Sequence, residues 1–103
     1  MGMMLGEKLY RLDKTMLEWY CPGCEMMHPA RIVKEEGKAS WSWNGNQDKP
    51  TFHPSFVVRF EKGGKKHTCH SFVIEGRIRY LTDCTHALSG QIVDLPDVPE
   101  ERR

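Results

Sequence analysis

At 103 residues the chain has room for one domain. Its hydrophobic fraction of 39% against 28% charged residues implies a thin core, which in so short a chain calls for a staple: disulfides, a metal or a partner subunit. Fifteen basic residues nearly balance fourteen acidic ones, and the formal net charge of +1 excludes strong electrostatic attraction to nucleic acid or to an acidic membrane surface.

Residues 1–16 are Met-rich and weakly patterned, and they are expected to form an N-terminal arm or a poor edge strand. They hold no apolar run of the length a signal peptide needs, and no stretch of the chain is suited to span a bilayer. The expected compartment is therefore reducing, where cysteines serve more often as metal ligands or redox catalysts than as disulfides. Leu17, Trp19 and Cys21 alternate with Glu18 and Tyr20, the pattern of a short strand entering Cys21-Pro22-Gly23-Cys24.

Ala39-Ser40-Trp41-Ser42-Trp43 alternates with period two and ends at Asn44-Gly45, a strong turn signal. Pro50 and Pro54 bracket extended or turning backbone. Phe56-Val57-Val58-Arg59-Phe60 has the best strand propensity in the chain. The glycines at Gly63-Gly64, among Lys62, Lys65 and Lys66, turn it into a second strand from His67 to Ile74. Glu75-Gly76 reverses the chain again into Arg77-Ile78-Arg79-Tyr80-Leu81. Asp83 is placed to cap a short helical turn over residues 84–88, closed by Gly90. Residues 92–95 add a last strand, and residues 96–103 read as a solvated tail. The expected fold is β-rich with little helix, a zinc-stapled domain of antiparallel hairpins over residues 17–95.

Zinc ligands come in three clusters: Cys21, Cys24 and His28; His67, Cys69 and His70; Cys84 and His86. Zinc takes four thiolate or imidazole donors in a tetrahedron. A Cys-x-x-Cys turn brings two sulfurs to one ion, and Gly23 lets the backbone wrap tightly. A two-residue turn at Glu75-Gly76 sets Cys69 opposite Thr82 and puts Cys69, Cys84 and His86 on one face. A three-residue bulged loop joins His70 to Cys84 and His86 instead. Thiolates bind zinc most strongly, so the expected ligands are Cys21, Cys24, Cys69 and Cys84, with His86 and then His70 as substitutes. His28 and His53 rank last. A structural zinc site contributes about 10–16 kcal/mol of apparent binding free energy, comparable with the whole stability of a small domain, about 5–15 kcal/mol.

Two catalytic readings compete with a structural one. Trp19-Tyr20-Cys21-Pro22-Gly23-Cys24 resembles a thioredoxin-type active site, with Pro29 where its helix would kink. Sixteen residues before the strand are too few for the opening βα unit, and hairpins follow instead of a βαβ pattern. A zinc hydrolase or deaminase needs His-Glu-x-x-His, or His-x-Glu before Pro-Cys-x-x-Cys, and neither occurs. Asp83 remains as a base beside an open metal position. Trp41 and Trp43 share one side of their strand, as core or, with Asn44, as an interaction surface. Ser55 and Thr51 nearby are explained by turn chemistry.

Several stretches together resemble a family of small phage and prophage proteins of unknown function. They are Cys21-Pro22-Gly23-Cys24 with His28, Trp41-Ser42-Trp43-Asn44-Gly45, Pro50-Thr51-Phe52-His53-Pro54-Ser55, Cys69-His70-Ser71-Phe72-Val73 and Asp83-Cys84-Thr85-His86-Ala87-Leu88-Ser89-Gly90-Gln91. Some members carry an "ammonia monooxygenase" label, which a chain without a membrane segment does not support. The resemblance matches the Cys and His positions and supports the metal without naming a function; the expected reading is a zinc-binding structural or interaction module without catalysis. It would act in the cytoplasm of the host cell or on the virion, and would bind a phage or host protein.

Overall fold

Alternating side chains decide which way each strand faces. In the computed structural model, which describes residues 2–103, Leu17, Trp19 and Cys21 are buried while Glu18 and Tyr20 between them stay partly open. Successive side chains of a strand point to opposite faces, so this run has one core face and one solvent face. Four strands follow one another in the first antiparallel sheet: β1 (Met3–Leu5), β2 (Leu9–Arg11), β3 (Met16–Cys21) and β4 (Met26–Arg31). Most of the expected arm is thus a hairpin, held because Leu9 fills a place in the core. Met1, also part of that arm, lies outside the described residues.

A two-stranded ribbon of β5 (Ser42–Trp43) and β6 (Phe52–His53) leads into the second sheet. That sheet contains β7 (Phe56–Lys62), β8 (Lys65–Ile74), β9 (Arg77–Tyr80) and β10 (Ile92–Asp94), in the order β10-β9-β8-β7. The turn at Glu75-Gly76 has two residues, with φ of 49° and 75°, the doubly positive pattern of a type I′ hairpin. It pairs Ile74 with Arg77 and Phe72 with Arg79, which selects the two-residue register.

The inner faces of the two sheets share one core. Trp19 meets the Phe56 ring edge-on at 5.2 Å, Trp41 stacks on its face at 4.8 Å, and Phe52 approaches at 5.7 Å. The fold is mainly β as expected, and no described helix is long and apolar enough to cross a membrane. Two local expectations need correction. Residues 84–88 form irregular turns and no helix, because the Asp83 carboxylate meets the His70 ring. Residues 96–103 are tied down in part: Val98 is buried, its N–H donates to the Glu7 carbonyl, and Arg102 pairs with Glu18.

Because three aromatic rings converge on Phe56, Phe56→Ala is expected to cost about 3–5 kcal/mol. Urea denaturation measures it; a loss under about 1 kcal/mol would show that this cluster does not join the sheets.

Candidate active site and thiol cluster

Two groups of reactive side chains lie on opposite faces of the second sheet. On β7, Phe56 points into the core, so Ser55 and Val57 on either side of it face outward. On β8, Cys69 and Ser71 are buried, and His70 between them faces outward opposite Val57. This register brings the Ser55 Oγ to 3.2 Å from His70 Nε2, and the other ring nitrogen, Nδ1, lies 3.1 Å from an Asp83 carboxylate oxygen. A carboxylate accepts, so Nδ1 carries the proton and Nε2 is left to accept the Ser55 hydroxyl proton. Trp41 steadies the Ser55 backbone, its indole N–H donating to the Ser55 carbonyl at 3.2 Å. Serine, histidine and aspartate are thereby linked in the order of a nucleophile, a general base and the group that orients the base.

On the inner side, the ligand atoms of Cys21, Cys24, His28 and Cys69 all lie within 4.8 Å of one another. The β3–β4 register pairs Cys21 with Met26, which sets His28 diagonally on the same face. The Cys21 and Cys69 sulfurs are 3.9 Å apart, and the Tyr80 hydroxyl is 3.1 Å from the Cys21 sulfur. His28 is 1% exposed, and both its ring nitrogens lack a hydrogen-bond partner among the described residues. A buried polar group left unpaired costs about 1–3 kcal/mol, which a bound cation would remove.

The thiols point the same way. Hydrogen bonding from Cys24 and Cys69 holds the Cys21 thiol far below its ordinary range, whereas the bond to Cys21 pushes Cys24 up to about 12. Cys69 is also pushed up, by its bonds to Cys21 and Cys24 and by burial. One thiolate is favoured and three are not, unless a positive ion offsets their repulsion. The four cysteines are free, and the donor set fits a divalent metal ion.

The remaining sequence candidates fall around this group. Cys69, Cys84 and His86 form a second set within 4.8 Å. His86 Nδ1 accepts the Leu88 N–H at 3.2 Å, so its Nε2 carries the proton and faces the Cys69 sulfur at 3.4 Å as a donor. The ring lies against Gly23 so closely that a Cβ there would collide with it. Cys84, expected as a ligand, belongs to this second set, and its sulfur also bonds the His70 backbone. His70, expected as a substitute ligand, points to the other face of the sheet. Trp41 and Trp43 are half-buried and give their indole N–H groups to the Ser55 and Asn46 carbonyls, while the Asn44 side chain holds the loop through Asn46, Lys49 and Thr51. Cys21 to Cys24 turns between two strands, so the helix N-terminus on which thioredoxin chemistry depends is absent there.

Sequence reasoning left Ser55 as turn chemistry and weighed Asp83 as a helix cap or as a base beside a metal, but not as partners of His70. The available signal was the register itself: with a two-residue turn His70 leaves the face of Cys69 and needs other partners. The chain matches, over residues 3–81, the family model described as bacterial ubiquitination-like system serine protease (BubE), a span that includes Ser55 and His70. No curated protein and no solved structure matches it. The match overturns the expected phage module without catalysis, and its thiol-redox and zinc-hydrolase alternatives, in favour of a protease-related role. The chain belongs to the family of serine proteases of bacterial ubiquitination-like systems.

Proposed function

We propose that the chain is a serine protease in which Ser55 is the nucleophile, His70 the general base and acid, and Asp83 the group that orients His70. The carrying observation is the continuous pair of hydrogen bonds from the Ser55 Oγ through both ring nitrogens of His70 to Asp83. As the Ser55 Oγ bonds to a carbonyl carbon of a polypeptide, its proton passes to His70 Nε2, and Asp83 stabilises the imidazolium. That proton then goes to the departing amine as the C–N bond breaks. Water, giving a proton to His70, cleaves the acyl ester and restores the Ser55 hydroxyl. Both Ser55 and His70 open on the outer face of the second sheet, so the polypeptide approaches from that side. Membership of a ubiquitination-like system suggests a protein of that system as the substrate.

The metal reading fits beside this one. We infer that Cys21, Cys24, His28 and Cys69 hold a structural zinc ion, a Cys₃His set with no position left for substrate. When bound, the ion supplies charge compensation and cross-links β3, the Cys21–Cys24 turn, β4 and β8. Cys69 immediately precedes His70, so this anchoring also steadies the strand that carries the base.

Three outcomes follow. A fluorophosphonate probe should label Ser55, seen as a mass adduct on its peptide, and Ser55→Ala should lower protein hydrolysis by at least about 10³-fold; persistent hydrolysis in that variant would exclude the triad. Asp83→Asn should lower kcat by about 10²–10⁴-fold with little change in KM, because it disturbs the tautomer and orientation of His70. Elemental analysis should find one zinc per chain, lost on His28→Ala. Less than half an equivalent in folded protein would reject the metal site.

A further inference from the structure

The segment after β9 does not continue as a strand, and the way it leaves the sheet bears on Asp83. The last β8–β9 pair is Ser71 with Tyr80. At the next position the Leu81 N–H still donates to the His70 carbonyl at 2.9 Å. In a regular antiparallel pair the Leu81 carbonyl would accept the His70 N–H in return. Here that carbonyl has turned away and takes the Cys84 N–H and the Ser89 hydroxyl, both at 3.3 Å. The His70 N–H goes to the Cys84 sulfur instead, at 3.3 Å, and the same thiol donates to the His70 carbonyl at 3.2 Å.

One residue on, Thr85 rejoins β8. Its N–H donates to the Thr68 carbonyl at 2.9 Å, and its hydroxyl accepts the Thr68 N–H at 3.0 Å. Residues 82 and 83 are thus looped out between two anchors. The Cys84 side chain points in to the His70 backbone, and the preceding Asp83 points out to the His70 ring. The Cys84 thiol thus bonds both backbone groups of His70, in a place that leaves it 8% exposed.

We propose that Cys84 is a positioning residue of the catalytic site: its thiol replaces the missing sheet hydrogen bond at His70 and so sets the Asp83 carboxylate against the His70 ring. The inference rests on the reading of Ser55, His70 and Asp83 as a triad. It also gives Cys84 a role apart from the group of Cys21, Cys24, His28 and Cys69, to which its sulfur does not belong.

The experiment compares Cys84→Ala with Cys84→Ser in the full chain, reading three quantities. The rate of Ser55 labelling by a fluorophosphonate should fall about 10–100-fold in Cys84→Ala, the scale of a small misplacement of a catalytic group. Cys84→Ser, which can still donate and accept, should stay within about threefold of the unaltered chain. The downfield proton resonance of the His70 Nδ1–H held by Asp83 should persist in Cys84→Ser and vanish in Cys84→Ala, a signature that a general loss of packing does not separate between the two. Zinc content should be the same in both. An unchanged labelling rate and resonance in Cys84→Ala would overturn the proposal, and so would loss of zinc in that variant. If Cys84→Ala does not fold, Thr85→Val loosens the same segment and should slow labelling several-fold; labelling at the parent rate would again overturn it. Failure of the unaltered chain to label at Ser55 would instead defeat the triad reading, and this proposal with it.

Discussion

The pairing of β7 with β8 governs the molecule's chemistry. Its register sets Phe56 opposite Ser71, Val57 opposite His70 and Val58 opposite Cys69. Since neighbouring side chains on a strand face opposite ways, Cys69 is delivered to the thiol cluster and His70 to Ser55 by one alternation. A slip of one residue would send the imidazole into the core and the sulfur into solvent. The Gly63-Gly64 turn at one end and the aromatic cluster around Phe56 at the other hold that register.

The proposed staple and the proposed catalytic site therefore do not compete for residues. The inner face takes three sulfurs and the buried imidazole of His28, and the outer face takes the hydroxyl, the second imidazole and the carboxylate. A small β-rich chain has little apolar surface to bury, so reactive geometry on its surface needs support from beneath. Tyr80, buried and bonded to the Cys21 sulfur, and His86, lying on Gly23 and facing Cys69, pack the knuckle onto the sheet that carries His70. Cys84 closes the arrangement from the side, where regular strand pairing gives out.

The position of Ser55, the proposed nucleophile, also depends on the irregular stretch between the sheets. Trp41 stacks on Phe56 and donates to the Ser55 carbonyl, so the residue before β7 is fixed by a side chain from the loop that wraps around it. Of the aromatic pair read in sequence as core or as an interaction surface, Trp41 packs on the core and holds the Ser55 backbone, and Trp43 holds the Asn46 carbonyl.

Local pattern was enough for the strands at Leu17–Cys21, Phe56–Phe60 and Arg77–Tyr80 and for the places where the chain reverses at Gly63-Gly64 and Glu75-Gly76, because period-two alternation and turn residues are properties of neighbours in the chain; the two-residue length of the Glu75-Gly76 turn came from the fold. It was also enough to single out the Cys21–Cys24 turn, whose two sulfurs stand in a group that could hold a metal ion. Tertiary structure alone decided that His28 and not Cys84 stands with Cys21, Cys24 and Cys69, and that Ser55, His70 and Asp83 meet. Those groups come from separate elements, 15 and 13 residues apart in the second case. Their encounter depends on a strand register and on two looped-out residues after β9, which only the competition for backbone hydrogen bonds in the folded sheet resolves.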